Sequence, residues 1–149
     1  MRKELVKGLI EVLQQKKAFY EEMIKQYEER LKKSLEEKSD DGERAKANEN
    51  EYLLAFYQKK VLEVEEIIKE IRTDSILARK NPEVVLPWTA VELSNGLKVF
   101  IVPYAGGEEV KGFNVISVNS PLYQRLKLKK KGEVVKLPNG EEARIERIA

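Results

Sequence analysis

Three acidic residues, Asp40, Asp41 and Glu43, are gathered around Gly42 in the run Lys38-Ser39-Asp40-Asp41-Gly42-Glu43. Carboxylates this close can serve as oxygen ligands for Mg²⁺, which keeps most of its waters and is usually held by one or two carboxylates plus phosphate oxygens. The chain has no cysteine and no histidine. Thiolate metal sites, Ser/His and Cys/His nucleophiles and the HExxH zinc helix are therefore excluded, which leaves carboxylates to carry any chemistry. The same residues also fit a plain structural role, because acids before a helix cap it and Asp-Gly is an ordinary turn. Gly42 is expected to take a positive φ and reverse the chain, setting the acids near the N-terminus of a following helix, where partial positive charge favours their ionised forms. Three partly solvated acids make a poor cage, so no metal is expected to bind the isolated protein.

The segments on either side must position this turn. From Lys3 to Glu37 the apolar residues Leu5, Leu9, Leu13, Tyr20, Ile24, Tyr27, Leu31 and Leu35 recur at helical spacing, with Lys16 and Lys17 in the one gap. Such a helix would be about 50 Å long and is expected to project from a small lobe. A second stripe passes through Ala47, Leu54, Tyr57, Val61, Val64, Ile68 and Ile71. Two stripes joined by a short polar turn pair most simply as an antiparallel αα-hairpin with a coiled-coil seam. Tyr20, Tyr27, Tyr52 and Tyr57 read as filling for that seam. Behind the turn, Lys32, Lys33, Lys38, Arg44 and Lys46 are placed either to hold nucleic-acid phosphates or simply to solvate the helix faces.

Asn81-Pro82 and Leu86-Pro87 disfavour helix and set a boundary, with a helical hairpin over 1–80 and a second domain over 81–149. Trp88 is expected to anchor the junction. Beyond it the hydrophobic period drops to two. Residues 89–93 and 97–102 flank Asn95-Gly96, a strong hairpin signal, and 113–118 form a third strand. Ser120-Pro121 places a capping hydroxyl before a proline suited to the first helical turn, opening a short helix through Leu122 and Leu126. Residues 133–137 and 143–148 surround Pro138-Asn139-Gly140 as a last hairpin. The expected class is α+β, with an antiparallel sheet of about five strands and one short helix. Arg125, Lys127, Lys129, Lys130 and Lys131 form the densest basic run, suited to an acidic partner surface or to an exposed helix end, with Leu126 and Leu128 packed inward.

Charged side chains make up 36% of the 149 residues, yet the formal net charge is only +2. Residues 1–80 carry 18 basic and 18 acidic side chains, and the remainder 10 and 8. Neither part has the basic excess of an autonomous duplex-DNA binder. No apolar run approaches a membrane span, and Met1-Arg2-Lys3-Glu4 leads into no signal-peptide core. The absence of cysteine suits a reducing cytosol.

In the C-terminal part, Ile116-Ser117-Val118-Asn119-Ser120-Pro121-Leu122, Lys129-Lys130-Lys131-Gly132-Glu133-Val134-Val135, Pro138-Asn139-Gly140 and Ile145-Glu146-Arg147-Ile148 resemble the Gre family of bacterial transcript cleavage factors (the GreA/GreB type). The resemblance implies an FKBP-like lobe lodged at the rim of the RNA polymerase secondary channel, with the coiled coil inserted down it. It also implies a monomeric, cytoplasmic accessory factor without an active site of its own, which helps the polymerase cut backtracked RNA. The family's tip carries an Asp and a Glu within Gly-Asp-Leu-Ser-Glu-Asn-Ala-Glu-Tyr. Asp40 and Glu43 keep that spacing and would share Mg²⁺ with the polymerase active site, with Asp41 as a further acid. Glu49-Asn50-Glu51-Tyr52 echoes the later part of the same run, so Glu49 and Glu51 are alternative tip acids. By the same resemblance, Lys32, Lys33, Lys38, Arg44 and Lys46 would contact the nascent RNA 3′ end. Ser120, Pro121, Leu122, Arg125, Lys129, Lys130 and Lys131 would contact the polymerase. Two other readings stay open: a Gre-like regulator that occupies the channel without promoting cleavage, and a coiled-coil adaptor for another partner.

Overall fold

A computed structural model describes residues 1–36, 41–77, 81–104 and 106–149, with the side chains of 35–44 and 75–80 outside the description. Two long helices, α1 (Arg2–Glu36) and α2 (Asp41–Leu77), precede strands β1 (Ala90–Leu93), β2 (Lys98–Val102), β3 (Glu109–Val110) and β4 (Phe113–Ser117). A short helix, α3 (Pro121–Leu126), leads to β5 (Val134–Lys136) and β6 (Glu142–Ile148). The expected α+β class is therefore present. The chain divides into two compact units, Leu13–Glu70 and a second made of Met1–Val12 with Ile71–Ala149.

Within Leu13–Glu70 the helices pair antiparallel, as Tyr20 and Tyr27 on α1 both meet the ring of Tyr57 on α2, at 6.0 and 5.8 Å between centroids. Leu13, Val64 and Ile68 are buried, while Tyr20, Ile24, Leu31, Leu54 and Val61 are only half-buried. Two helices cannot enclose a seam on all sides. Tyr52 departs from the expected filling, since it is 70% exposed, pointing off the seam that Leu54 and Tyr57 occupy. In the gap of the α1 stripe, Lys17 Nζ lies 3.1 Å from a Glu65 carboxylate oxygen, so an ion pair bridges the helices where apolar residues are missing.

The second unit is built on a six-stranded sheet of order β3-β4-β2-β1-β6-β5. Val91, Leu93, Val99, Ile101, Val135 and Ile145 form one buried face with Tyr123 and Leu126 of α3. Cross-strand charges support its centre, where Glu92 lies 3.5 Å from Lys98 and 3.7 Å from Arg147. Trp88, at φ 69°, is buried, donates its backbone N–H to the Ile101 carbonyl at 2.8 Å and sets its ring against Phe100 and Tyr104.

The sheet differs from the antiparallel, five-stranded expectation in one strand and one pairing. β2 and β4 run parallel, with Phe100 opposite Val115, and the extra strand β3 pairs with β4 across the Lys111-Gly112 turn. The cause lies in 106–112, which run back beside β4 before it begins. Gly107 donates to the Val115 carbonyl and Val115 to that of Glu108, both at 2.8 Å, and a Cβ on Gly106 would collide with the Val115 backbone. Gly106 is thus needed for close passage of two chain segments and Gly107 for its φ of 110°, which a reading of them as a simple break overlooks.

A second tight approach sets the α1 end of this unit against β3. A Cβ built on the buried Gly8 would lie 2.5 Å from Cγ1 of Val110, a β-branched side chain with little freedom to yield. Overpacking costs about 1–3 kcal/mol and offsets the roughly 1 kcal/mol that alanine gains over glycine in a helix. Gly8→Ala is therefore expected to lower stability by up to about 2 kcal/mol in urea unfolding, the reverse of the usual glycine-to-alanine effect in a helix.

Two groups contribute to alkaline sensitivity. Burial raises the Tyr123 pKa, and the hydrogen bond and charge of Glu65 raise that of Lys17. Each holds its proton more tightly folded than unfolded, so its contribution is complete below the unfolded pKa and is lost as pH rises through the folded value. Stability should fall above about pH 10, where unfolded tyrosine and lysine begin to titrate. The fall measured by denaturant unfolding should be shallower in Tyr123→Phe.

Candidate functional site at the far end of the helical pair

α2 begins at Asp41, so Asp41, Gly42 and Glu43 fall in its first turn. Gly42 is helical and is not the expected positive-φ reversal point. A helix start leaves amide N–H groups without intrahelical partners and favours nearby carboxylates in their ionised form. Lys38 and Asp40 lie outside the described residues, as do the side chains of Asp41, Glu43 and Arg44. Among the described residues, no group of three or more acidic, histidine or cysteine side chains is placed to hold a metal.

The residues just behind this end form a cleft of about 380 Å³ between the helices. Tyr27, Arg30, Lys33 and Ser34 of α1 face Lys46, Glu49, Asn50 and Leu53 of α2 across it. Residues 27, 30 and 34 and residues 46, 50 and 53 keep the three-four spacing of one helix face, so the cleft continues the seam. It opens because short polar Ser34 and Asn50 stand where leucines would otherwise close it. The Ser34 hydroxyl donates to the Arg30 carbonyl at 3.0 Å, and the Arg30 guanidinium lies 5.0 Å from the centroid of the Tyr27 ring. That ring in turn stacks on Tyr57. Three cations and one carboxylate therefore line a polar cleft, a composition suited to phosphate oxygens, with Arg30 anchored over an aromatic face.

Of the sequence candidates, Lys33, Lys46 and Glu49 are brought together here, while Lys32 and Glu51 are exposed without lining the cleft. Arg30 was missed by sequence reasoning. Its signal is the Tyr27-x-x-Arg30 spacing, which puts a guanidinium one helical turn from a ring.

In the other unit, Ser120 caps α3 as expected, its hydroxyl accepting the Tyr123 N–H at 3.2 Å, with Pro121 opening the helix and Leu122 half-buried. Leu128 does not pack inward as expected. It takes φ 62° and is 64% exposed, because its N–H donates to the Val85 carbonyl while Val85 donates to that of Lys129, and this pinned turn directs the side chain outward. Arg125 and Lys129 line a second cleft, of about 290 Å³, with Gln124 and β5. Lys130 and Lys131 are exposed in the turn beyond, where the Lys130 N–H donates to a Glu133 carboxylate oxygen at 2.5 Å. No helix among the described residues is long and apolar enough to cross a membrane.

No family model matches the chain, and no curated protein does. Solved structures similar to it include one of the transcription factor Gfh1, 26% identical with a TM-score of 0.40 over 95% of this chain and 94% of that one. GreA factor homolog 1 (Gfh1) of Thermus thermophilus is 22% identical, with a TM-score of 0.39 over 94% of each chain. Thermus aquaticus Gfh1 is also 22% identical, with a TM-score of 0.40 over 88% of this chain and 92% of that one.

Proposed function

We propose that this protein is a Gre-type accessory factor that binds RNA polymerase and carries the acids around Asp41 to the polymerase active site, where they assist cleavage of backtracked RNA. The observation that carries this reading is the basic cleft of Arg30, Lys33 and Lys46, lined from both helices at the same end as the acidic run. Lys46 follows Asp41 by five residues, about 7.5 Å along a helix axis. Phosphates of an extruded RNA 3′ segment held in the cleft would present the neighbouring phosphodiester to Asp40, Asp41 and Glu43. The lobe motifs around Ser120-Pro121-Leu122 and Lys129-Lys130-Lys131 support the choice of polymerase.

In the two-metal hydrolysis of a phosphodiester, Mg²⁺ activates the attacking water and stabilises the leaving oxygen. The polymerase supplies the framework for this, and the factor contributes carboxylates as a partial site. Sparse acids at a helix start fit that division, being suited to ionise but too few to hold the ion alone.

The reading is tested by adding the protein to a stalled, backtracked elongation complex with Mg²⁺. Faster release of short 3′ RNA fragments is expected, and the Lys33→Gln/Lys46→Gln double variant should weaken it by roughly tenfold at 0.15 M salt, less at higher salt where phosphate contacts are screened. Inhibited synthesis without faster cleavage would identify a channel-occupying regulator, and absence of polymerase binding would leave an adaptor for another partner.

A further inference from the structure

The sheet ends at β5, and the hydrogen bonds of its pairing with β6 determine what that edge offers. Leu137 donates to the Glu141 carbonyl and Ile145 to that of Glu133, so the odd-numbered residues of this stretch bond toward β6. The register pairs Val134 with Arg144, Val135 with Ala143 and Lys136 with Glu142. By the alternation of an antiparallel ladder, the backbone N–H and C=O of Val134 and Lys136 point away from β6, along the outer edge. Val135 is buried in the core, whereas Val134 is 53% exposed. Beside this edge runs the cleft between α3 and β5, lined by Gln124, Arg125, Lys129 and Val134 to Lys136, with three cations and no carboxylate.

We propose that this edge is a docking site for an extended acidic peptide segment of a partner protein, which adds as a strand beside β5. Val134 and Lys136 would supply backbone hydrogen bonds, two donors and two acceptors. Arg125 and Lys129 would select acidic side chains, and Val134 would give an apolar contact at the centre. Strand addition uses an exposed sheet edge, with main-chain bonds giving affinity and pockets for alternate side chains giving specificity. Charge decides the occupant: Lys136 stands opposite Glu142 in the register, but Arg125 of α3 and Lys129 just beyond it face the edge with no carboxylate in the cleft, and a basic or neutral segment would leave both unmatched. The site stands whether or not the partner is the polymerase.

The test uses the full chain and fluorescence anisotropy with a labelled nonapeptide of alternating Glu and Thr. Two control peptides accompany it, one N-methylated at alternate amides and one with Lys in place of Glu. Saturable binding is expected, weakened by roughly tenfold or more on N-methylation, since more than one backbone bond is lost. The Lys peptide should not bind. Val134→Pro removes one outward N–H without touching the β6 ladder, a position where an edge strand tolerates proline. With unfolding confirming a native fold, it should weaken the Glu peptide by several-fold to tenfold, and Lys129→Gln should do so in a salt-dependent way. Equal affinity for the methylated and unmethylated peptides, unchanged binding by a folded Val134→Pro variant, or no binding of the Glu peptide would each overturn the proposal.

Discussion

Phe100→Ala is expected to destabilise the sheet unit by about 3–5 kcal/mol, the range for truncating a buried phenylalanine. Phe100 is fully buried on β2, opposite Ala90 of β1 and Val115 of β4, with its ring against Trp88 at 6.0 Å. Its strand neighbours Val99 and Ile101 belong to the core face under α3, so Phe100 fills the opposite face of the same strand. With both faces covered, the surroundings have little room to collapse into the space left by the ring, and the cavity adds to the lost transfer energy. Against a total stability of about 5–15 kcal/mol, such a loss leaves the fold marginal and should lower the melting temperature by roughly 10 °C or more. Near-UV circular dichroism reports it directly through Trp88, the only tryptophan. The exposed Leu128 gives the contrast, because Leu128→Ala should change stability by no more than about 0.5 kcal/mol. A cost below about 1 kcal/mol for Phe100→Ala would contradict the packing described.

The largest functional effect is expected at the acidic run. Replacing Asp40 and Asp41 by Asn and Glu43 by Gln keeps size and capping ability while removing the charge that a shared Mg²⁺ needs. Cleavage of backtracked RNA stimulated by the factor should fall on the order of 100-fold, equivalent to about 2.7 kcal/mol of lost transition-state stabilisation. Higher Mg²⁺ should restore part of it, as expected of a site proposed to recruit a weakly held ion. Binding to the polymerase should persist, because the residues proposed for it lie in the other unit. Glu49→Gln and Glu51→Gln separate the two groups of acids. Glu49 lines the cleft beside Arg30, Lys33 and Lys46, and Glu51 lies on an exposed face, so neither change should reproduce the triple variant. If capping is all that the run does, the amides will leave cleavage unchanged, as Asn is as good a cap as Asp.

Local chemistry made much of this fold legible in the sequence. Asn95-Gly96 and Pro138-Asn139-Gly140 lie in turns between paired strands, Ser120-Pro121 opens α3, and the apolar stripes match α1 and α2. What escaped depends on distant parts of the chain meeting. β3 has two residues, too few to show a period, and its pairing makes sense only once Gly106 and Gly107 are seen passing against Val115. Leu128 reads as core by type, but its backbone is held by Val85, some forty residues earlier, and that constraint turns it outward. Tyr52 shares its residue type with Tyr57 but not its helix face. At the candidate site, charge was legible and partnership was not. Lys33, Lys46 and Glu49 could be named individually, whereas their meeting with Arg30 follows from the register between two helices, which single-helix periodicity does not contain.

The central claim is one of delivery: the end of the helical pair reaches the RNA 3′ segment inside the polymerase. The chain has no cysteine, so Ser39→Cys gives a unique attachment point beside Asp40 for a short photo-crosslinker. In a backtracked elongation complex, the labelled protein should crosslink to the extruded 3′ nucleotides and to polymerase segments around the catalytic magnesium, and unlabelled protein should compete. Crosslinks confined to the outer surface of the polymerase, with binding otherwise intact, would contradict the account.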